Sequence, residues 1–238
     1  MNLMLITSNE FKTGISPNDT RAEHLVKILK LKDNDKFKFG ILGEKGIYYC
    51  IYKKDKKLFF KKSFKIGESN QLKKLNVLIG MIRPIVAKRI IKELASIGIC
   101  EIIFFNTELT EKSYLNSKIF KNNDYEKHLI TGAMQGGITH LPKIKIMKNL
   151  KDALKYIKQE NFEIKILLEK NSEKNLIDIE KVNNATIIVG PERGFTEKEK
   201  QLITEHNFSS YSMSSNILRT ETAVIAASII TVSKLINV

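Results

Sequence analysis

The sequence predicts a two-domain α/β protein: a small β-barrel, then a mostly parallel sheet with helices on both faces. Three observations carry that reading. Short aromatic and β-branched runs crowd the first third. Apolar strands alternate with amphipathic helical segments thereafter. Between them, residues 67–74 form turn-rich material, so the domains are taken as 1–73 and 74–238. With 238 residues, 42% hydrophobic and 28% charged, the chain reads as folded and long enough for a substantial core.

In the first domain, residues 19–29 read as a short helix. Leu25, Ile28 and Leu29 share its apolar face, and Lys27 and Lys30 lie outside. Extended runs follow at 36–42, 46–52 and 57–64, separated by turns near Gly43 and Asp55. The second domain opens with a strand at 76–81. Pro84 suits a first helical turn, Val86, Ile90, Ile91, Leu94 and Ala95 supply a helical face, and Gly98 ends it. A strand at 101–105 and helices at 124–134 and 151–159 come next. Strands at 163–168 and 186–189 precede a capping-box pair, Thr196 and Glu199, which starts a helix at Glu197. A short strand at 208–212 and an apolar helix at 220–235 complete the chain. The alternation implies parallel strands buried on both faces.

The formal charge is +14, from 40 basic and 26 acidic residues, which suits a polyanionic partner. A lysine-rich composition alone would also produce it. Its distribution favours a binding module, because residues 1–73 hold 16 basic against 8 acidic side chains. Lysines at 53, 54, 56, 57, 61 and 62 flank Tyr48-Tyr49 and Phe59-Phe60. Most of these aromatics read as core, with the lysines facing out. Lys27, Lys30, Lys53, Lys54 and Lys57 are the candidate phosphate contacts.

Cys50 and Cys100, each in an apolar run, read as reduced buried thiols rather than a disulfide. The four histidines lack ligand spacing, so no metal site is expected. No leader-like segment opens the sequence, and the apolar tract at 223–232 is too short to span a bilayer; a cytoplasmic protein is expected. The sequence also lacks a nucleophile elbow, an HExxH motif and paired cysteines, which leaves hydrolytic and metal-assisted chemistry without local support.

Two segments carry candidate chemistry. The first, residues 187–196, runs from an apolar strand through Gly190-Pro191-Glu192-Arg193-Gly194 into the capped helix. Loops at the carboxyl ends of parallel strands form ligand crevices, and glycines permit close backbone approach. A plain strand-to-helix connection would look similar. The second segment, 214–223, sets Ser214, Ile217, Leu218, Arg219 and Glu221 before and at the start of the last helix. A helix cap with an Arg–Glu pair would satisfy that pattern too.

Together these segments resemble the bacterial small-subunit ribosomal RNA uridine N3-methyltransferases, of the knotted SPOUT class. That family carries Gly-Pro-Glu-Gly-Gly and Leu-Arg-x-Glu-Thr-Ala motifs, which appear here at 190–194 and 218–223. Residues 88–98 and 133–137 resemble further family segments in order. The resemblance covers nearly the whole chain. It implies a PUA-like first domain, a trefoil knot from about residue 164 onward, a homodimer, and S-adenosylmethionine bound without metal. It assigns the cofactor to Leu168, Val189, Gly190, Pro191, Glu192, Gly194, Met213, Ser214, Ile217 and Leu218.

Its substrate would be 16S ribosomal RNA within the small subunit, methylated at uridine N3. Arg219 would orient RNA or stabilise the uridine anion, while Glu221 would order Arg219 or take part in proton transfer. The chain departs from the family at Met134 (Glu), Ile138 (Arg), Arg193 (Gly), Asn216 (Arg) and Asn106-Thr107 (Ser-Arg). Arg193 is therefore a candidate substitute cation on the RNA side. Methylation of another nucleotide or of a ribose hydroxyl, and a noncatalytic role in ribosome assembly, remain alternatives.

Overall fold

A computed structural model describes residues 3–54, 57–111 and 113–236, with side chains throughout except at 51–54. The chain divides into two compact units: Met1–Gln71 with Ala133–Leu141, and Leu72–Gly132 with Pro142–Val238.

The first unit is built on a four-stranded sheet in the order β1 (Met4–Ile6), β2 (Lys36–Ile41), β3 (Gly46–Lys54) and β4 (Leu58–Glu68). The β1–β2 pair is parallel and the other two are antiparallel. Ile15 and Leu58 exchange backbone hydrogen bonds of 2.9 and 3.0 Å at the other edge of β4. Alternation sends Phe37, Phe39, Cys50, Leu58 and Phe60 inward, where Phe39 stacks on Phe11 and Phe60. Burial pushes the Cys50 thiol up to about 12, so this cysteine is inert.

Helix α1 (Ser8–Thr13) starts at a reciprocal Thr7–Glu10 capping box. Helix α2 (Thr20–Glu23) is capped by Asp19 and runs into a π-helical turn, His24–Ile28. The expected helix at 19–29 is thus two structures. The wider turn rotates the chain, so Leu25 stays buried while Ile28 and Leu29 are exposed rather than sharing its face. Residues 133–141 return to this unit through three hydrogen bonds: Leu3 N to Met134 O, Gly43 N to Thr139 O and Thr139 N to Ser69 Oγ. A single boundary near residue 73 does not contain that return.

The second unit is a six-stranded sheet in the order β10-β8-β9-β5-β6-β7, parallel throughout. In chain order its strands are β5 (Lys73–Gly80), β6 (Ile99–Phe105), β7 (Lys143–Met147), β8 (Ile164–Leu168), β9 (Ala185–Val189) and β10 (Ser209–Tyr211). Central β9 is buried along its whole length, as a strand covered on both faces must be. Helices α3 (Pro84–Ile97), α4 (Lys118–Lys121) and α5 (Glu126–Gly136) precede β7. Helix α6 (Leu150–Lys158) follows it, and α7 (Glu197–Glu205) and α8 (Thr220–Ser233) flank β10. The α6 and α7 apolar faces share one core with Leu78, Ile103, Leu167 and Ile188. Helix α8 packs against α3, β5 and β9.

The connection between β8 and β9 does not simply loop over. Leu176 N donates to Ser212 O at the exit of β10, and Val182 bonds Lys234 and Ile236 beyond α8. Among the described residues no helix is long and apolar enough to cross a membrane.

The Arg21 guanidinium binds Glu10, Asp19 and the Leu5 carbonyl, and holds both carboxyls below their usual 4.5 and 3.8. Arg21→Ala should destabilise the protein by about 2 kcal/mol at pH 7 in urea unfolding. Because these carboxylates are depressed on folding, their contribution is complete above their unfolded values. It is lost as pH falls through the lower folded ones. The gap between wild type and variant should therefore close below about pH 4, and a constant gap down to pH 2.5 would refute the assignment.

Candidate functional site

Strands β8, β9 and β10 lie side by side at one edge of the parallel sheet, so their carboxyl-end loops open on the same side. These loops frame a cleft of about 450 Å³. Leu168 lines it at the end of β8, as do Val189 at the end of β9 and Gly190, Pro191, Glu192, Arg193 and Gly194 after it. Met213, Ser214, Ile217 and Leu218 line it after β10. All ten residues that the family resemblance assigns to the cofactor are brought together here. Ile217 is 85% exposed, an apolar side chain held at the cleft wall with little protein against it.

The 190–194 loop is shaped by exclusion. A Cβ on Gly80, at the end of β5, would stand 2.5 Å from Pro191 Cδ, so glycine lets the loop settle on that strand. A Cβ on Gly190 would meet Gly194 Cα at 3.1 Å, and Gly194 itself has φ +70°. The Gly194 amide donates to Pro191 O at 2.9 Å, closing a tight turn over Glu192 and Arg193. Arg193 is not among the residues of positive φ, so a side chain fits where the family carries glycine. Glu192 turns the other way, and its Oε1 accepts from Arg83 N at 3.1 Å. Arg83 is the N-cap of α3 and offers no side-chain cap of its own. A carboxylate 109 residues away thus satisfies a free donor and complements the helix dipole.

Arg219 is the exposed N-cap of α8, and Glu221 is half-buried in its first turn. Among the described residues neither side chain makes a hydrogen bond or ion pair, so the expected ordering of Arg219 by Glu221 is absent. Only two positions apart at the helix start, they are splayed about its axis rather than facing each other. Neither lines the cleft, although Thr220 and Ala223 beside them do.

Sequence reasoning missed Glu169 and Lys200, which also line the cleft and pair at 2.9 Å. Hydrogen bonds to Glu169 and Glu197 raise the Lys200 ammonium's pKa. Glu169 directly follows the Leu167-Leu168 strand end, a visible hint, but the partner on α7 was not. Of the candidate RNA cations, Lys30 is exposed. Lys27 pairs with Glu23 at 2.8 Å, and Lys57 donates to Thr13 O at 3.3 Å. Lys53 and Lys54 lie outside the described side chains. Two family departures, Met134 and Ile138, are buried in the first unit. Among the described residues no cluster of His, Cys, Asp or Glu could hold a metal ion.

A parallel α/β unit with a cleft made of three strand-end loops has the architecture of a ligand-binding domain. Residues 68–232 match the RNA methyltransferase domain family. Over 237 residues, the whole of both chains, the sequence is 87% identical to ribosomal RNA small subunit methyltransferase E 1 of Borreliella burgdorferi. It is 32% identical to ribosomal RNA small subunit methyltransferase E of Treponema pallidum, over 95% of this chain and 89% of that one. The fold superposes on the crystal structure of a ribosomal RNA small subunit methyltransferase E from Neisseria gonorrhoeae bound to S-adenosylmethionine. That likeness has a TM-score of 0.76 at 18% identity, covering 99% of this chain and 98% of that one. The chain belongs to the RNA methyltransferase domain family, in its SPOUT-class branch of ribosomal RNA small subunit methyltransferases E.

Glu192→Ala should cost about 1 kcal/mol in urea unfolding by removing the α3 cap, and Glu192→Gln should recover most of it. Equal losses in both variants would mean that the carboxylate's bond to Arg83 N does not stabilise the helix.

Proposed function

We propose that this chain transfers the methyl group of S-adenosylmethionine to N3 of a uridine in 16S ribosomal RNA. The observation that carries the reading is the convergence of three strand-end loops on one cleft. It occurs in a chain related over its full length to small-subunit ribosomal RNA methyltransferases. The residues fit the cofactor: the cleft volume is that of a small-molecule site, Gly190 and Gly194 expose backbone, and Ile217 and Leu218 offer apolar surface to an adenine. When bound, the sulfonium supplies an electrophilic methyl group that needs no metal.

The protein then has to hold uridine N3 in line and manage its proton. Arg219, exposed and unpaired among the described residues, donates to a uracil oxygen and stabilises the anion formed when N3 is deprotonated. Glu221 is the nearest candidate along the chain to receive that proton. Arg193 stands at the cleft mouth as a further cation toward RNA. The first unit acts as a PUA-like RNA-binding module, with Lys27, Lys30, Lys53, Lys54 and Lys57 on phosphates.

The β8–β9 connection, bonded to both the β10 exit and the end of α8, supports a trefoil knot in the carboxyl-terminal part. A homodimer is supported by α8, whose outer face presents Ile225, Ala226 and Ile229 and continues to exposed Ile236. The setting would be the cytoplasm, on the small ribosomal subunit.

Labelled S-adenosylmethionine and unmodified small subunits should yield N3-methyluridine on nucleoside analysis. Arg219→Ala should slow transfer roughly 100-fold with little change in cofactor affinity by calorimetry. A labelled 2′-O-methyl nucleoside would move the target, and no label would leave RNA binding alone. Ile229→Lys should shift sedimentation from dimer to monomer; an unchanged profile would exclude this face as the interface.

A further inference from the structure

The aromatic residues of the first unit divide between the two faces of its sheet. Phe37, Phe39, Cys50 and Phe60 point into the core. Their neighbours Lys36 and Lys38 on β2, Tyr49 on β3 and Lys61 on β4 therefore face outward. The register pairs Lys38 with Tyr49 and Tyr49 with Phe64. A break in pairing between Tyr49 and Cys50 skips Ser63 and brings Phe64 to the outer face.

There the Phe64 ring, 48% exposed, meets the Tyr49 ring edge-on at 5.1 Å. Lys36 Nζ lies 5.6 Å from the Phe64 ring centroid. Among the described residues Lys36, Lys38 and Lys61 form no ion pair.

A pair of rings, Phe64 exposed and Tyr49 half-buried, on a face that also carries lysines without ion pairs suits a ligand with flat apolar faces on an anionic thread. A second copy of this chain would set those lysines against their own equivalents. Duplex RNA hides its base faces, whereas an unpaired strand presents them. We propose that this outer sheet face binds single-stranded RNA. Bases stack on Phe64 and Tyr49, and Lys36, Lys38 and Lys61 hold phosphates. The choice of RNA as occupant rests on the methyltransferase reading above.

The test is fluorescence anisotropy of the full-length protein with a short, labelled, uridine-rich RNA. Phe64→Leu keeps apolar bulk and removes the ring, and should weaken binding roughly tenfold. Phe64→Tyr should restore it, and both variants should melt near the wild-type temperature. Lys38→Gln should weaken binding and lower the salt slope by about one. The proposal is overturned if Phe64→Leu binds like wild type, weakens duplex RNA equally, or alters self-association instead. Methyl transfer to small subunits is assayed in parallel. Wild-type transfer with indifferent Phe64 sinks only the stacking face, and ring-dependent RNA binding without any transfer sinks only the enzyme reading.

Discussion

The 190–194 loop rests on the end of β5, where Gly80 leaves space that any side chain would take from Pro191. That seat governs much around it. With Pro191 against β5, the Glu192 carboxylate reaches the first turn of α3, and the Pro191–Gly194 turn closes above the strand ends. The backbone from Gly190 to Gly194 then forms one wall of the cleft, with the 213–218 segment on another. Shifting the loop by a methyl group's width would disturb the cleft and the helix cap at once. The glycines at 80, 190 and 194 are therefore set by distance and dihedral angle, two quantities that side-chain chemistry elsewhere cannot replace.

A second layer of order holds the other side of this loop. Buried Glu199 completes the capping box of α7 with Thr196 and also accepts from Glu108 N at 2.9 Å. The Thr196 hydroxyl in turn donates to Glu108. One local helix-start signal thus anchors the segment after β6 as well. Phe195 stacks on Phe105 at 6.3 Å, so the chain leaves the loop on an aromatic contact.

What could be read from sequence follows from range. The Thr196–Glu199 box, Pro84 at a helix start and Gly98 at its end are local signals, and each stands where expected. The parallel sheet was legible from buried strands alternating with helices. Strand β7 was not, because its five residues are only partly buried and lack the continuous apolar run that marks the central strands, although Lys-Ile alternation after Pro142 fits a half-exposed edge strand. The α2 break was also hidden, since helical periodicity does not register a change to π-helical pitch. In the site, contiguous loops could be named as blocks. Pairs such as Glu169–Lys200 and Arg83–Glu192, and the return of 133–141, depend on contacts across the fold.

The family departures separate by the same physics. Gly190 and Gly194 are retained where substitution would collide with the loop or require a left-handed residue. Position 193 has neither restriction and carries arginine. Its neighbours Pro191 and Glu192 wall both the cleft and an adjoining hollow of about 300 Å³, which Arg83, Glu108, Glu111 and Tyr114 also line. A cation introduced there changes the electrostatics of the cleft mouth and leaves the backbone intact. Met134 and Ile138 instead place buried apolar side chains where the family carries Glu and Arg. Backbone-constrained positions thus preserve the cleft wall, while unconstrained ones adjust what faces it, which is how one cleft can tolerate a changed contact surface.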